Sequence, residues 1–397
     1  MKSPVLFSIG FRPWFLLFLV SGGLMFSAWG LPWLNTSTGL HINIELFPAL
    51  MDWRWHAHEM IYGLGFALLA GFLLTAVQNW TGRRPLPPIG LFVTTAIWLC
   101  ARGTFLFFGM HSVWAYILSI IPEIIVGSAI LVAIIRTGQW HNLLFPFSLL
   151  LIAFLDSYFG IHINEPNLQG QVAVMGLWPI LAVLLFVSQR IIPAFTAGRA
   201  GKRSNSLGNY AAVTFGVAPF VLLLLSFIPQ IPGNTLLWSA TSTIIILLGC
   251  WGVLRWWHPV VRREPMLLVL YAGFALTLAG LLIMTLSVLF FTNTNMAAMW
   301  WDAGIHGVGL GILGVLGPGM LLRVSAGHSG RIIVMPNWLR VFFIATPLIW
   351  LLRVFAPVLG YNPLMLGLSA WGMAAVYFSL LFAVGPWLVS PRADRRS

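Results

Sequence analysis

Residues 53–60 read Trp53-Arg54-Trp55-His56-Ala57-His58-Glu59-Met60 and open a glycine-rich apolar stretch long enough to cross a bilayer. Two imidazoles and a carboxylate at the mouth of a membrane helix are costly there, so they mark metal binding, proton movement or packing. A second such histidine, His306, opens another glycine-rich apolar stretch, four residues after Asp302. That spacing lets the Asp302 carboxylate orient the imidazole from behind. His58 and Tyr62 have the same spacing, as do Asp52 and His56. His56 and His58 point about 200° apart on a regular helix, so a single metal takes only one of them.

The elements that carry these residues are membrane helices. The chain is 59% hydrophobic and 8% charged, against about a quarter charged in a soluble domain. A spanning helix needs about 20 mostly apolar residues. Twelve stretches qualify: 14–34, 56–78, 89–109, 112–135, 143–160, 171–189, 209–229, 235–254, 266–291, 299–322, 337–358 and 364–388. The expectation is an all-α polytopic membrane protein, a single integral domain over residues 1–397. The basic start resembles a signal peptide, but 13–34 is long enough to span and reads as a retained first helix. Cys100 and Cys250 lie inside apolar runs and read as core residues.

The net charge of +12 does not indicate nucleic acid, because the arginines are spread between apolar runs. With a cytoplasmic N-terminus, 18 of the 21 Lys and Arg fall on one side of the membrane. A wrong helix count would scramble that sorting, so the positive-inside rule predicts twelve spans with both termini cytoplasmic. Arg54, Arg102 and Arg353 break the pattern and fall near the outer face. They either pair with Glu59, Glu123 or Asp156, or hold a bound anion such as a haem propionate. The same topology puts His41, His56, His58, His111, His162 and His306 towards the outer face. His58 and His306 then come to similar depth on two helices, as a haem iron held by two imidazoles requires. Met296 and Met299, beside Trp300-Trp301-Asp302, offer thioethers suited to copper(I).

The two histidine helices also match in length. His58 to Arg83 and His306 to Arg331 each span 25 residues, and each arginine follows a glycine. The sixth stretch ends similarly, in Thr196-Ala197-Gly198-Arg199. Stretches two, six and ten are four apart, which suggests three units of four helices. That plan resembles the catalytic subunit of haem–copper oxidases as architecture alone. The glycines of stretches two and ten suit close helix packing, and also a flat macrocycle between helices.

Several longer motifs resemble the NnrS family of bacterial membrane proteins. They are Phe11-Arg12-Pro13-Trp14-Phe15-Leu16, Trp55 through Met60, Gly71 through Arg83, Gln139-Trp140-His141-Asn142, Arg190 through Thr196, and His306 through Arg331. Val77-Gln78-Asn79-Trp80 and Gln139-Trp140-His141-Asn142 depart from the family's usual residues. The resemblance implies a haem- and copper-containing protein of the bacterial inner membrane, with haem of b type. It implies a role in the response to nitric oxide, in nitrosative stress and denitrification.

On this reading His58 and His306 are the iron ligands, with His56 a candidate for a second metal. Arg54, Arg102, Arg353, Tyr62 and Asp302 then complete the cofactor surroundings. The protein binds, reduces or otherwise processes nitric oxide. Two alternatives stay open. A nitric oxide reductase proper would take electrons from a quinol or cytochrome. A secondary transporter would use Glu59, Glu123, Asp156 and the histidines as a proton relay.

Overall fold

The structure, a computed structural model, describes residues 4–39, 47–228, 232–291 and 294–394. Among these the only regular elements are helices. Twelve are long and apolar enough to cross a membrane: α1 Phe11–Thr38, α2 Trp53–Thr81, α3 Pro88–Phe108, α4 Val113–Thr137, α5 Trp140–Ile161, α6 Pro166–Ala200, α7 Asn209–Phe227, α8 Asn234–Trp256, α9 Pro265–Phe290, α10 Asn295–His328, α11 Asn337–Val358 and α12 Pro363–Val389. The protein is a multi-pass membrane protein with the expected number of spans. His41 and three of the basic residues, Lys2, Arg395 and Arg396, lie outside the described residues.

The longest helices are α2, α6 and α10, and they exceed the expected spans at both ends. Their apolar windows are also the most buried, at 94%, 83% and 83%. A helix wrapped by other helices keeps its backbone bonded beyond the bilayer's apolar thickness, and it can carry polar residues against protein. The interval of four thus reappears as a pattern of burial. The compact units, however, number two: Met1–Ile180 with Leu321–Ile333 and Tyr377–Ser397, and Leu181–Met320 with Val334–Val376.

In the first unit, long polar side chains tie the arginine-rich helix ends. Arg84 donates to the Ser8 carbonyl at 2.8 Å, and the Gln139 amide donates to the Trp80 carbonyl. The buried Arg12 guanidinium serves the carbonyls of Trp387, Leu388 and Ser390 at the end of α12. Those carbonyls have no intrahelical amide, so the cation supplies the missing donors. Arg392 and the Ala393 amide do the same for His328 and Ser329 at the end of α10. A hydrogen bond from Arg392 to Asp394 raises the affinity of that guanidinium for its proton. Gly82 and Gly330 sit past the ends of α2 and α10 at φ +65° and +68°, a left-handed cap that favours glycine. The matched Gly-Arg ends are therefore real caps. The third member of that comparison is corrected: α6 runs through Gly198-Arg199 to Ala200, and its left-handed glycine is Gly201.

In the second unit, α10 lies close against α9. A Cβ on Gly280 would strike the backbone of Gly307 and Val308, and one on Gly311 would strike Thr277. The glycines at these contacts serve close helix packing. Trp350 of α11 closes the same place by donating its indole N–H to the Gly307 carbonyl at 2.8 Å. Trp350→Phe keeps most of the ring and removes that donor. It should cost about 1 kcal/mol in unfolding measured in detergent, and an unchanged stability would mean the bond contributes nothing.

Cys100 and Cys250 are free and exposed on the outside of the helices, so their placement in the core is corrected. Lipid and protein interior are equally apolar, and hydrophobicity does not tell the two apart. Trp80, Trp140 and Trp338 are exposed near helix ends, where indoles anchor at a membrane interface.

Candidate functional site

The first unit builds a buried ionic cluster at the start of α2. Asp52 caps the helix by accepting the Arg54 amide at 2.9 Å, which sets the helix start at Trp53 and puts His58 in the second turn. From Glu59 to Gly65 the helix widens into a π-helical segment, a distortion concentrated at functional sites. His58 is fully buried. Its Nδ1 lies 3.0 Å from Glu59 Oε1 and its Nε2 lies 2.7 Å from Asp156 Oδ1 of α5. Arg102 of α3 reaches Glu59 Oε1 at 3.3 Å and donates to Ser119 Oγ of α4 at 2.6 Å. Gly63 makes room for this guanidinium, which occupies the place of a Cβ. Phe105, Tyr62, Tyr116 and Phe159 surround the imidazole and keep the local dielectric low.

Proton counting defines what this cluster can do. A neutral imidazole has one N–H, yet both ring nitrogens face carboxylate oxygens. The two contacts are both hydrogen bonds only when a second proton sits on the ring or on a carboxyl. The cluster is thus built to hold an extra proton. An imidazolium, the Arg102 guanidinium and two carboxylates sum to zero charge, the balance a buried site needs.

The partners of three expected residues differ from those inferred by spacing. Asp52 binds Arg54, through Nε at 2.9 Å and Nη2 at 2.7 Å, and is not the orienting acid of His56. His56 instead stacks on Trp29, with ring centroids 4.3 Å apart. Tyr62 donates its hydroxyl to the Val172 carbonyl at 2.7 Å. The acids that orient His58 are therefore Glu59 and Asp156. Of the three arginines expected near the outer face, Arg102 does pair with Glu59. Asp156 was recognisable as a buried acid, but no local signal joined it to a histidine 98 residues away.

In the second unit, Asp302 lies one turn before His306 as the spacing predicts. His306 Nδ1 is 2.9 Å from the Asp302 carbonyl and 3.1 Å from its Oδ1. Both are acceptors, so the ring carries its proton on Nδ1 and keeps a lone pair on Nε2. Arg353 of α11 donates to that lone pair at 2.6 Å and lies 3.8 Å from Asp302 Oδ2. Tyr361 stands nearby in the left-handed region at φ +57°, an uncommon conformation for a tyrosine. Burial and the Asp302 carboxylate hold its phenol above the ordinary range. A second π-helical segment, Leu310–Leu316, follows His306 by one turn.

The two histidines differ as hosts for a metal. His306 has the tautomer in which a ligating imidazole is held, with Nδ1–H bonded to protein oxygen and Nε2 available once Arg353 turns aside. His58 has carboxylates on both nitrogens, and it offers one to a metal only after releasing Asp156 or Glu59. His58 belongs to the first compact unit and His306 to the second. Among the described residues, no group of three or more His, Cys, Asp or Glu side chains is placed to hold a metal ion. His162 bonds the Tyr158 carbonyl, and Met296 is exposed.

Comparison with curated proteins finds no match. The family model described as NnrS protein matches residues 5–392, nearly the whole chain. That span takes in both histidine helices, the Gly-Arg caps and the arginine that closes α12, and the chain belongs to the NnrS family.

Proposed function

We propose that this protein is a haem-containing membrane protein of the nitric oxide response in the bacterial inner membrane, binding or processing nitric oxide and limiting its damage. Family membership supplies the biological setting. The observation that carries the site is the Asp302–His306–Arg353 arrangement.

Asp302 fixes the His306 ring and its tautomer, so the Nε2 lone pair is pre-aimed. Arg353, released from that lone pair, is a guanidinium suited to the anionic edge of a cofactor such as a haem propionate. Iron held at His306 would supply the affinity for nitric oxide. His58 and its two acids serve this reading as a buried proton-holding group. Copper at His56 and electrons from a quinol or cytochrome belong to the same proposal.

The test is optical and elemental. Purified protein should contain iron and show a haem Soret band, and His306→Ala should abolish the band. A Soret band unchanged in His306→Ala overturns the assignment of that ligand. Protein free of iron and copper would favour the transporter reading, which the buried acids of the first unit also support.

A further inference from the structure

Among the described residues, Glu123 is the one fully buried acid of the first unit that the cluster around His58 does not absorb. It lies on α4, one turn beyond Ser119 and ten residues from Val113. Four residues move it about 6 Å further along the helix axis than Ser119, and ten put it about 15 Å from the helix start. That is about half the ~30 Å thickness of a hydrocarbon core. Glu123 is 0% exposed. Neither of its carboxyl oxygens has a hydrogen-bond partner.

The surroundings favour a carboxylic acid over a carboxylate. Arg102 pairs with Glu59 and donates to Ser119, and although its Nε and Nη1 make no hydrogen bond, none of its N–H groups reaches a Glu123 oxygen. The charge balance of the cluster closes without a further anion. Pro122, immediately before Glu123, has no N–H, so the Leu118 carbonyl loses its usual amide partner in that turn. No donor reaches the Glu123 oxygens, so a carboxylate there would be left without a hydrogen bond. Burying an uncompensated carboxylate is far more costly than burying the neutral acid. The charged and titratable groups facing Glu123 are Asp156 from α5, Arg102 from α3 and Tyr62 from α2. Glu59, His58 and Tyr116 lie behind them in the same cluster.

We propose that Glu123 is a proton-binding site in the interior of the first unit: a carboxylic acid that stays protonated at neutral pH and exchanges its proton with solvent. It extends the ionisable groups at the start of α2 towards the middle of the membrane. Its ligand is the proton, and its chemistry is the making and breaking of one O–H bond on its carboxyl. The site does not depend on a bound metal, so its test is independent of the haem assignment.

Infrared spectroscopy of the full-length protein in lipid provides that test. At neutral pH the wild type should show a carbonyl stretch of a protonated carboxylic acid, and Glu123→Gln should lose it. Transfer of folded protein into heavy water should shift the band downwards. Glu123→Asp should restore an acid band at an altered frequency, and it serves if the glutamine variant fails to fold. A wild-type spectrum with no acid band, or one that Glu123→Gln leaves unchanged, overturns the proposal. So does a band that never shifts in heavy water while the protein stays folded, because that acid is sealed and exchanges no proton with solvent.

Discussion

Asp156→Ala should destabilise the protein by about 3–5 kcal/mol, the cost of removing one partner from a buried ion pair. The aspartate is 0% exposed and meets the Nε2 of an equally buried imidazole at 2.7 Å. Its loss leaves that nitrogen without a partner inside a box of aromatic rings, where no water replaces the carboxylate. It also upsets the charge balance, since Glu59 alone must then offset Arg102 and the imidazolium. Asp156→Asn keeps an acceptor oxygen and removes only the charge, so it should cost about 1.5–3 kcal/mol. Unfolding of both variants in detergent, followed by helical circular dichroism, gives the ordering. An alanine variant within about 1 kcal/mol of wild type, the range of an ordinary substitution, would show that the cluster does not hold the first unit together.

Gly280→Ala should cost about 3 kcal/mol or more, above the usual range for one added methyl. Most overpacked methyls are relieved by a rotamer change in a neighbour. Here the obstacles are the main-chain atoms of Gly307 and Val308, so α9 and α10 must separate along the whole contact. The strain should reach His306, one residue before Gly307. Gly309→Ala is the internal control. It lies on the facing helix α10 with nothing within 4 Å of the new methyl, and it should stabilise by about 0.5–1 kcal/mol through helix propensity. Thermal denaturation of the pair measures both signs in one experiment. Equal effects at the two positions would mean that helix propensity, and not the close approach, sets the cost.

These expectations rest on contacts of unequal legibility. The Asp302–His306 pair was readable because both partners sit on one helix, and a spacing of four brings them together wherever the helix goes. The Gly-Arg ends of α2 and α10 were readable for a similar reason, as left-handed caps are local events. The partners of His58 were not. Tyr62 had the right spacing but turned its hydroxyl to the Val172 carbonyl, and Asp52 had the right spacing but capped α2 with Arg54. The imidazole went to Glu59, its neighbour in sequence, and to Asp156 on another helix. Glu123 was visible as an expensive buried acid. That no donor reaches it depends on how Arg102 is shared between Glu59 and Ser119.

Sequence alone determined the class of protein, the number of spans, the caps and the short-range pair at His306. In a bilayer the backbone must bond to itself within each segment, and segment length and apolarity are local quantities. Tertiary structure alone decided which face of each helix meets protein and which meets lipid, and hence which buried charges pair. A membrane helix is apolar on every side, so hydrophobic periodicity no longer encodes its rotation. Rotation is settled by contacts such as Gly280 on Gly307 and Arg102 over Gly63, between residues far apart in the chain.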